Sequence, residues 1–257
     1  MRVTRSGPCG APATLLADTQ GDTASGGDRA LDLQLGFRGF AAGFHPLLDA
    51  FLDRHRAQLG GLTRIADVEA FIACISDMRP DYLLLGATDA PGDLLDRIET
   101  ASRSPHLAVL LAGCGAAEEG GTPTGLMLEP VAADADGTEL ALVLRALMRR
   151  SRPQAMVGRS VSGALELDEA CLTFSIRGAT VSLSLEVFSV LGLMMDAPDR
   201  VWDRSELHRL VFGATSRNDI RAIDTRISRA RRHVTAALGH DPIRTVRRVG
   251  YALVPYP

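Results

Sequence analysis

Arginine supplies every basic side chain of this sequence apart from histidine, because the chain has 28 arginines and no lysine. Residues 217–257 hold nine arginines against three aspartates, although the whole chain has a net charge of −3. A guanidinium group can form two parallel hydrogen bonds to a phosphate or to the edge of a guanine. A small basic segment on an acidic protein therefore indicates a local contact with a polyanion.

These arginines fall on a predicted helix and a predicted hairpin. Residues 219–238 have apolar side chains three and four positions apart, so one helix face is buried and the arginines project from the rest. Residues 242–253 form two short strands around a turn near 248–250. The helix arginines are Arg221, Arg226, Arg229, Arg231 and Arg232, and the hairpin arginines are Arg244, Arg247 and Arg248. An α-helix fits the major groove of B-DNA, which makes double-stranded DNA the predicted partner; an ordinary solvated basic face is the alternative.

Three further elements precede this helix. Residues 164–182 alternate in short pieces around the turn Arg177-Gly178, which indicates a small antiparallel sheet. Helices are predicted over 184–195 and 205–211, with Ser184 and Ser205 as their caps.

The region from about 163 to 253 resembles the winged-helix effector domain of OmpR/PhoB-type response regulators. Residues 221–232 (RAIDTRISRARR) resemble its recognition helix, and 243–251 (IRTVRRVGY) resemble its wing, where the family has T-V-R-G-x-G-Y. The resemblance implies a fold-supporting role for Asp224, in a pair with a nearby arginine. It also implies DNA contacts by Arg221, Thr225, Arg226, Arg229, Arg231, Thr245, Arg247 and Tyr251, to which charge alone adds Arg232, Arg244 and Arg248.

Three positions depart from the family pattern. Arg226 stands where the family has histidine, and Arg248 stands where it has the glycine after the wing arginine. We expect both to alter which bases or phosphates are contacted. Val187 replaces an acid of the first helix and removes a capping-box carboxylate.

The first half alternates strand and helix, which predicts an α/β fold with a parallel sheet. The predicted strands are 31–37, 62–65, 82–85, 107–111 and 125–128, and the predicted helices are 45–59, 68–78, 94–101 and 138–150. For the last helix, Leu140, Leu144 and Leu147 are expected on one buried side. Residues 113–124 are rich in glycine and proline, so a helix there is not expected.

This half resembles a receiver domain whose functional positions have been replaced. Residues 80–85 resemble the receiver's third strand, but Gly86 follows where the phosphate-accepting aspartate stands. The acidic pair after the first strand is replaced by residues 36–38 (Gly, Phe, Arg). Ala112 replaces the hydroxyl residue, and Glu129 replaces the lysine before proline. The resemblance implies a flavodoxin-like fold without aspartyl phosphorylation or bound magnesium, and Asp89 lies too far beyond the strand to substitute.

The composition shifts predict four regions: a disordered tail at 1–30, the receiver-like domain at 31–150, a linker at 151–158 and the winged-helix domain at 159–257. No apolar run is long enough for a membrane span or signal peptide. A cytoplasmic, nucleoid-associated protein is therefore expected.

Catalysis, metals and cofactors are not expected. Cys9, Cys74, Cys114 and Cys171 form no C-x-x-C pair, which argues against zinc. Redox sensing by Cys74 or Cys114 is a weaker alternative to packed free thiols. No G-x-S-x-G, P-loop or paired-acid motif indicates an enzyme.

Two functional hypotheses remain. In the first, the chain is a sequence-specific transcription regulator that acts independently of aspartyl phosphorylation, and its first half serves for dimerisation or partner docking. Its partners would be promoter DNA, a second copy of the chain and RNA polymerase. In the alternative, the first half is a sensor for a small molecule or a protein signal.

Overall fold

A computed structural model describes residues 39–42, 46–56, 58–59, 62–86, 93–102, 106–113, 125–214 and 216–254. Its first half contains a five-stranded sheet and four helices. The strands are β1 (Gly39–Ala42), β2 (Leu62–Ile65), β3 (Tyr82–Gly86), β4 (Leu107–Ala112) and β5 (Leu126–Val131); the helices are α1 (Pro46–Arg54), α2 (Val68–Met78), α3 (Leu94–Ala101) and α4 (Gly137–Ser151).

The five strands are all parallel and lie in the order β2-β1-β3-β4-β5. This is the strand order of doubly wound, flavodoxin-like folds. Phe71 and Ile75 of α2 and Ile98 of α3 pack with Leu83 and Val109 of the central strands. Strands buried on both faces explain the continuous apolar runs of β3 and β4. The predicted α/β fold is confirmed.

Local signals explain where two of these helices begin. Asp67 accepts a hydrogen bond from the Ala70 N–H at 2.8 Å and caps α2. Asp136 accepts one from the Glu139 N–H at 2.8 Å and caps α4. In each case the carboxylate satisfies an N–H that has no partner within the helix.

The second half contains two antiparallel sheets and three helices. The strands are β6 (Arg159–Ser162), β7 (Leu165–Asp168), β8 (Thr173–Ile176), β9 (Ala179–Val181), β10 (Trp202–Asp203), β11 (Ile243–Val246) and β12 (Gly250–Leu253); the helices are α5 (Leu185–Asp196), α6 (Arg204–Phe212) and α7 (Arg221–Leu238). β6 to β9 form a meander, and β12 lies between β10 and β11. A four-stranded sheet, three helices and a C-terminal hairpin constitute a winged helix, as predicted.

The turns and caps of this half mostly follow the sequence signals. Arg177 and Gly178 have φ angles of 52° and 77°, and two positive φ values are those of a tight hairpin turn. The predicted Ser205 cap is wrong, because Asp203 accepts the Ser205 N–H at 2.7 Å and caps α6 instead. Serine and aspartate are both good N-cap residues, so residue type alone did not show which of the two caps α6. Ser184 stands at the cap position of α5 without a side-chain cap bond.

The first strand of the sheet differs from the prediction. The predicted strand at 31–37 lies outside the described residues, and β1 at 39–42 occupies the place beside β2 and β3. The residues that follow the first strand are therefore 43–45 (Gly, Phe, His) rather than 36–38, and again none is acidic. α1 ends at Arg54, before the predicted end at 59.

Other predictions fall where the structure describes little. The tail at 1–30 and residues 114–124 lie outside the described residues, as does Asp89. The predicted linker at 151–158 begins with the last residue of α4 and includes a 3₁₀ turn at Pro153–Ala155. Arg152 in this segment donates to the Asp81 carboxylate at 2.5 Å and to the Pro80 carbonyl at 3.2 Å.

Candidate nucleic-acid interface

Helix α7 buries one narrow stripe and exposes the rest of its surface. Ile223, Ile227, Ala230 and Val234 are at most 1% exposed and pack towards α5 and α6. Before the helix, the Asp219 carboxylate accepts the Arg221 N–H at 2.8 Å. At its other end Gly239 has a φ of 82°, the left-handed conformation common after helix C-termini.

A group of exposed arginines surrounds the outer face of α7 and the β11–β12 hairpin. None of them forms an ion pair with a carboxylate of the described residues, although most other arginines there do. The exposed arginines are Arg217, Arg221, Arg229, Arg232, Arg244, Arg247 and Arg248. Thr225 and Thr245 are also exposed on these elements. The structure thus presents uncompensated positive charge on one loop, one helix and one hairpin.

Arg226 is held inside the domain rather than left free. Its Nε donates to the Glu186 carboxylate at 2.9 Å, and its guanidinium lies 5.3 Å from the centre of the Phe212 ring. Glu186 stands in the first turn of α5, so this pair links two helices. Glu186 therefore occupies Nε and Nη2 of Arg226 and restricts how this side chain can reach a base or phosphate.

Arg231 joins the helix to the hairpin. Its Nη2 donates to the Ile243 carbonyl and, at 2.7 Å, to the Thr245 hydroxyl. Its Nε lies 2.9 Å from the Asp241 carboxylate. Arg231 therefore fixes the angle between α7 and β11, and it positions the exposed arginines on both.

Tyr251 and Asp224 form a second link between hairpin and helix. The Tyr251 hydroxyl donates to Asp224 Oδ1 at 2.6 Å, and Arg204 Nε donates to the same oxygen at 3.1 Å. The pairing expected for Asp224 is confirmed. Burial, together with the hydrogen bond to Asp224 and its charge, raises the pKa of Tyr251. Because Tyr251 is 5% exposed, its place in the structure is in this network.

The turn of the hairpin depends on two unusual backbone positions. A Cβ on Gly250 would lie 1.9 Å from the Trp202 carbonyl oxygen, so no larger residue fits between β12 and β10. Arg248 has a φ of 64°, a conformation that favours glycine. The side chain of Arg248 is exposed. The arginine that replaces the family's glycine thus adds a charge at a strained backbone position.

The candidate DNA-binding residues therefore fall into two groups. Arg221, Thr225, Arg229, Arg232, Arg244, Thr245, Arg247 and Arg248 are exposed, whereas Arg226, Arg231 and Tyr251 are engaged within the domain. Arg217 was missed as a site residue, although its charge and its place just before α7 could have indicated it. The positioning acids Glu186 and Asp241 carry no local sequence signal, because their partners lie 40 and 10 residues away in the chain.

The positions at which a receiver domain has its phosphorylation-site residues hold different side chains in this protein. Gly86 ends β3 and lies in register with Ala112 at the end of β4. Glu129 of β5 is 0% exposed and lies 2.6 Å from Arg150 Nη2. In the described part of the chain, no three His, Cys, Asp or Glu side chains are arranged to hold a metal ion. Among the same residues, no helix is both long and apolar enough to cross a membrane.

The fold and this surface define the class: a receiver-like parallel α/β domain followed by a winged helix with exposed arginines. Residues 178–253 match the protein family described as "Transcriptional regulatory protein, C terminal". This match covers the region in which the recognition helix and wing were predicted.

Similar proteins agree with this class. The phosphate regulon transcriptional regulatory protein PhoB of Rhizobium meliloti (strain 1021) is 33% identical over 115 residues, which are 45% of this chain and 51% of that protein. The response regulator PmrA of Pseudomonas aeruginosa is 31% identical over 118 residues, 46% of this chain and 51% of its own length. The chain spans about half the length of the curated relatives it matches.

Solved structures are also similar. The Klebsiella pneumoniae RstA DNA-binding domain, in complex with RstA box, is 27% identical and covers 38% of this chain and 98% of its own, with a TM-score of 0.34. The Thermotoga maritima response regulator DrrB is 17% identical and covers 84% of this chain and 97% of its own, with a TM-score of 0.35.

Proposed function

We propose that this protein is a sequence-specific transcription regulator that binds double-stranded DNA through its winged helix. The observation that carries the proposal is the set of seven exposed arginines without an acidic partner among the described residues. Leaving this much like charge unpaired on a folded surface is costly without a polyanion, and DNA supplies one. The names of the relatives, a transcriptional regulatory protein and a response regulator, support the same function.

In the proposed complex, α7 lies in the major groove. Arg221, Arg229 and Arg232 then face base edges and phosphates, since arginine is the commonest reader of guanine. Arg244, Arg247 and Arg248 of the hairpin reach neighbouring phosphates or the minor groove. Phosphate contacts fix the position of the protein, and base contacts select the sequence.

The regulator acts without aspartyl phosphorylation in this proposal, because Gly86 cannot form an acyl phosphate. The first half serves for homodimerisation or partner docking, and RNA polymerase is the docking partner at promoters. Binding to chromosomal DNA places the protein at the nucleoid of the cytoplasm. Catalysis has no part in this function.

The proposal is tested by fluorescence anisotropy of the full chain on duplex DNA across a series of salt concentrations. Neutralising about five to seven phosphates gives a log–log slope of roughly −4.5 to −6.3. Replacing Arg244, Arg247 and Arg248 by glutamine should reduce the slope by about one for each phosphate that the variant no longer neutralises.

The matched control replaces Arg56, Arg64 and Arg97 of the first half by glutamine. It removes the same charge from the protein, and its exposed or half-exposed side chains lie in the other half of the chain. The control should leave the slope unchanged. Binding that ignores salt, or an equal change of slope in both triple variants, would contradict this interface.

A further inference from the structure

Helix α4 is buried on all sides, although its sequence predicted one apolar face. Ten consecutive residues, from Leu140 to Arg149, are buried, including two arginines. One side of α4 packs on β4 and β5 of the parallel sheet, and other sides pack on α5 and α6 of the winged helix. A helix buried all round lies inside a core. Here α4 is shared between the two halves of the molecule.

Four charged groups are enclosed where α4 meets the winged helix. Arg145 Nη2 lies 2.7 Å from Glu169 and 3.4 Å from Asp196. Arg149 Nη2 lies 2.6 Å from Glu169, and its Nη1 lies 2.7 Å from Asp196. The four side chains are at most 8% exposed, and the two positive charges balance the two negative ones. Both arginines come from α4, whereas both acids come from the second half.

Glu129 makes a second connection between the halves. Its carboxylate lies 2.6 Å from Arg150 of α4 and also pairs with Arg209 of α6. Glu129 is fully buried, whereas the Arg209 side chain is 27% exposed. The residue that stands at the receiver's lysine position thus binds an arginine of the winged helix.

Two glycines of the second half make room for the arginines. A Cβ on Gly213 would lie 2.5 Å from Arg150 Nη1, and Gly213 has a φ of 101°. A Cβ on Gly192 of α5 would lie 3.0 Å from Arg149 Cζ. The second half is therefore shaped to receive side chains of α4.

Enclosed charges make the interface specific for one orientation. Removing one partner leaves a buried charge without its counter-charge, which is strongly unfavourable. Burial lowers the pKa of Arg149, but Asp196 and Glu169 raise it by more, so this guanidinium stays charged.

We propose that Arg145, Arg149, Glu169 and Asp196, together with Glu129 and Arg209, form a permanent interdomain latch. The latch makes the receiver-like half and the winged helix one cooperative body, with Glu129 as an interdomain anchor in place of a phosphate-site lysine. The orientation of α7 is then set by the first half. This inference does not depend on DNA binding.

The test is calorimetric unfolding of the full chain, in which the wild type should show one transition with equal calorimetric and van't Hoff enthalpies. Glu129→Lys, which restores the family's residue, places a third positive charge beside Arg150 and Arg209 and should split the transition in two. Glu69→Lys is the matched control, because Glu69 forms an exposed pair with Arg97 inside one half. It should keep a single transition.

A second variant guards against a failure of Glu129→Lys to fold. Arg209→Gln removes the partner in the winged helix but leaves the Glu129–Arg150 pair, and native-state hydrogen exchange of residues 140–149 should then accelerate by about tenfold or more. Arg159→Gln, which breaks an exposed pair with Glu166 inside the second half, should leave this exchange unchanged. Two transitions in the wild type, or equal behaviour of Arg209→Gln and Arg159→Gln, would overturn the latch.

Discussion

At the scale of single residues, two buried tyrosines differ in what their hydroxyls contact. The Tyr251 hydroxyl donates to Asp224, whereas the buried Tyr82 hydroxyl has no hydrogen-bond partner in the described part of the chain. A buried polar group without a partner costs about 1–3 kcal/mol, and one that is paired contributes about 1 kcal/mol. The two residues should therefore respond in opposite ways to loss of the hydroxyl.

We predict that Tyr82→Phe raises the free energy of unfolding by about 1 kcal/mol and that Tyr251→Phe lowers it by a similar amount. Urea unfolding of the full chain at neutral pH measures both. The two variants remove the same atom from buried rings, so each is the control for the other. A loss of stability in Tyr82→Phe would mean that its hydroxyl has a partner.

The same tyrosines predict a loss of stability at alkaline pH. Burial, with the charge of Asp81, raises the pKa of Tyr82 well above 10.0, and burial with Asp224 raises that of Tyr251. The folded state thus holds these protons more tightly than the unfolded chain. This contribution is complete below about pH 10 and is lost as pH rises from there through the folded-state pKa values. Unfolding midpoints between pH 8 and 11 should fall less steeply in Tyr82→Phe than in the wild type.

Arg229 and Arg226 lie one helical turn apart on α7, but only the second has an acidic partner in the described residues. We predict that Arg229→Ala costs about 1–3 kcal/mol on the selected DNA site and less on random duplex. Anisotropy on both duplexes measures the difference, with Arg56→Ala as the control for net charge. Equal losses on the two duplexes would show that Arg229 contacts phosphate alone.

At the scale of elements, the turn of the β11–β12 hairpin combines strain with charge. Arg248 has a positive φ, which costs a non-glycine residue about 1 kcal/mol. We predict that Arg248→Gly raises the free energy of unfolding by up to about 1 kcal/mol and weakens DNA binding through loss of one cation. Arg247→Gly removes the same charge at a position without a positive φ. It should weaken DNA binding similarly and not stabilise the fold; equal stability of the two variants would show that the turn holds no strain.

Element boundaries could largely be predicted from the sequence, because apolar periodicity reports the face that each helix or strand buries. The predicted bounds of β2, α2 and α3 agree with the structure. The strand predicted at 31–37 lies outside the described residues, and the short GFAA of β1 was not predicted because its four residues show no alternation. The full burial of α4 could not be predicted, because periodicity shows one buried face and the second is covered by a separate part of the chain.

The candidate interface was predictable in its charges but not in its pairings. The exposure of Arg229, Arg244 and Arg247 could be predicted from the composition and from the spacing of the apolar residues alone. The pairing of Arg226 with Glu186 joins residues 40 positions apart in sequence, and that of Arg209 with Glu129 joins residues 80 apart. Such pairings depend on how helices pack, which short motifs do not encode.

At the scale of the whole molecule, the core shared through α4 and the replaced receiver residues both favour the proposal that the protein acts without a phosphoryl group. The two halves meet through α4 and a set of buried charges, and these contacts hold the winged helix without any contribution from Gly86. Glu129 is the clearest example. It stands where the receiver family has lysine, and its carboxylate is enclosed between Arg150 and Arg209.

We therefore predict that the protein binds DNA without a phosphodonor. Gly86 has no carboxylate to accept phosphate, Ala112 has no hydroxyl, and Glu129 supplies no ammonium group to pair with a phosphoryl group. Acetyl phosphate, or beryllofluoride with magnesium, should leave the midpoint of DNA binding and the mass measured by light scattering unchanged. Glu69→Gln, which alters an exposed acid away from this site, reports any nonspecific effect of the added salts. A shift of the midpoint by more than about threefold, roughly 0.65 kcal/mol, would mean that another acid such as Asp89 accepts the phosphate, and the phosphorylation-independent function would be wrong.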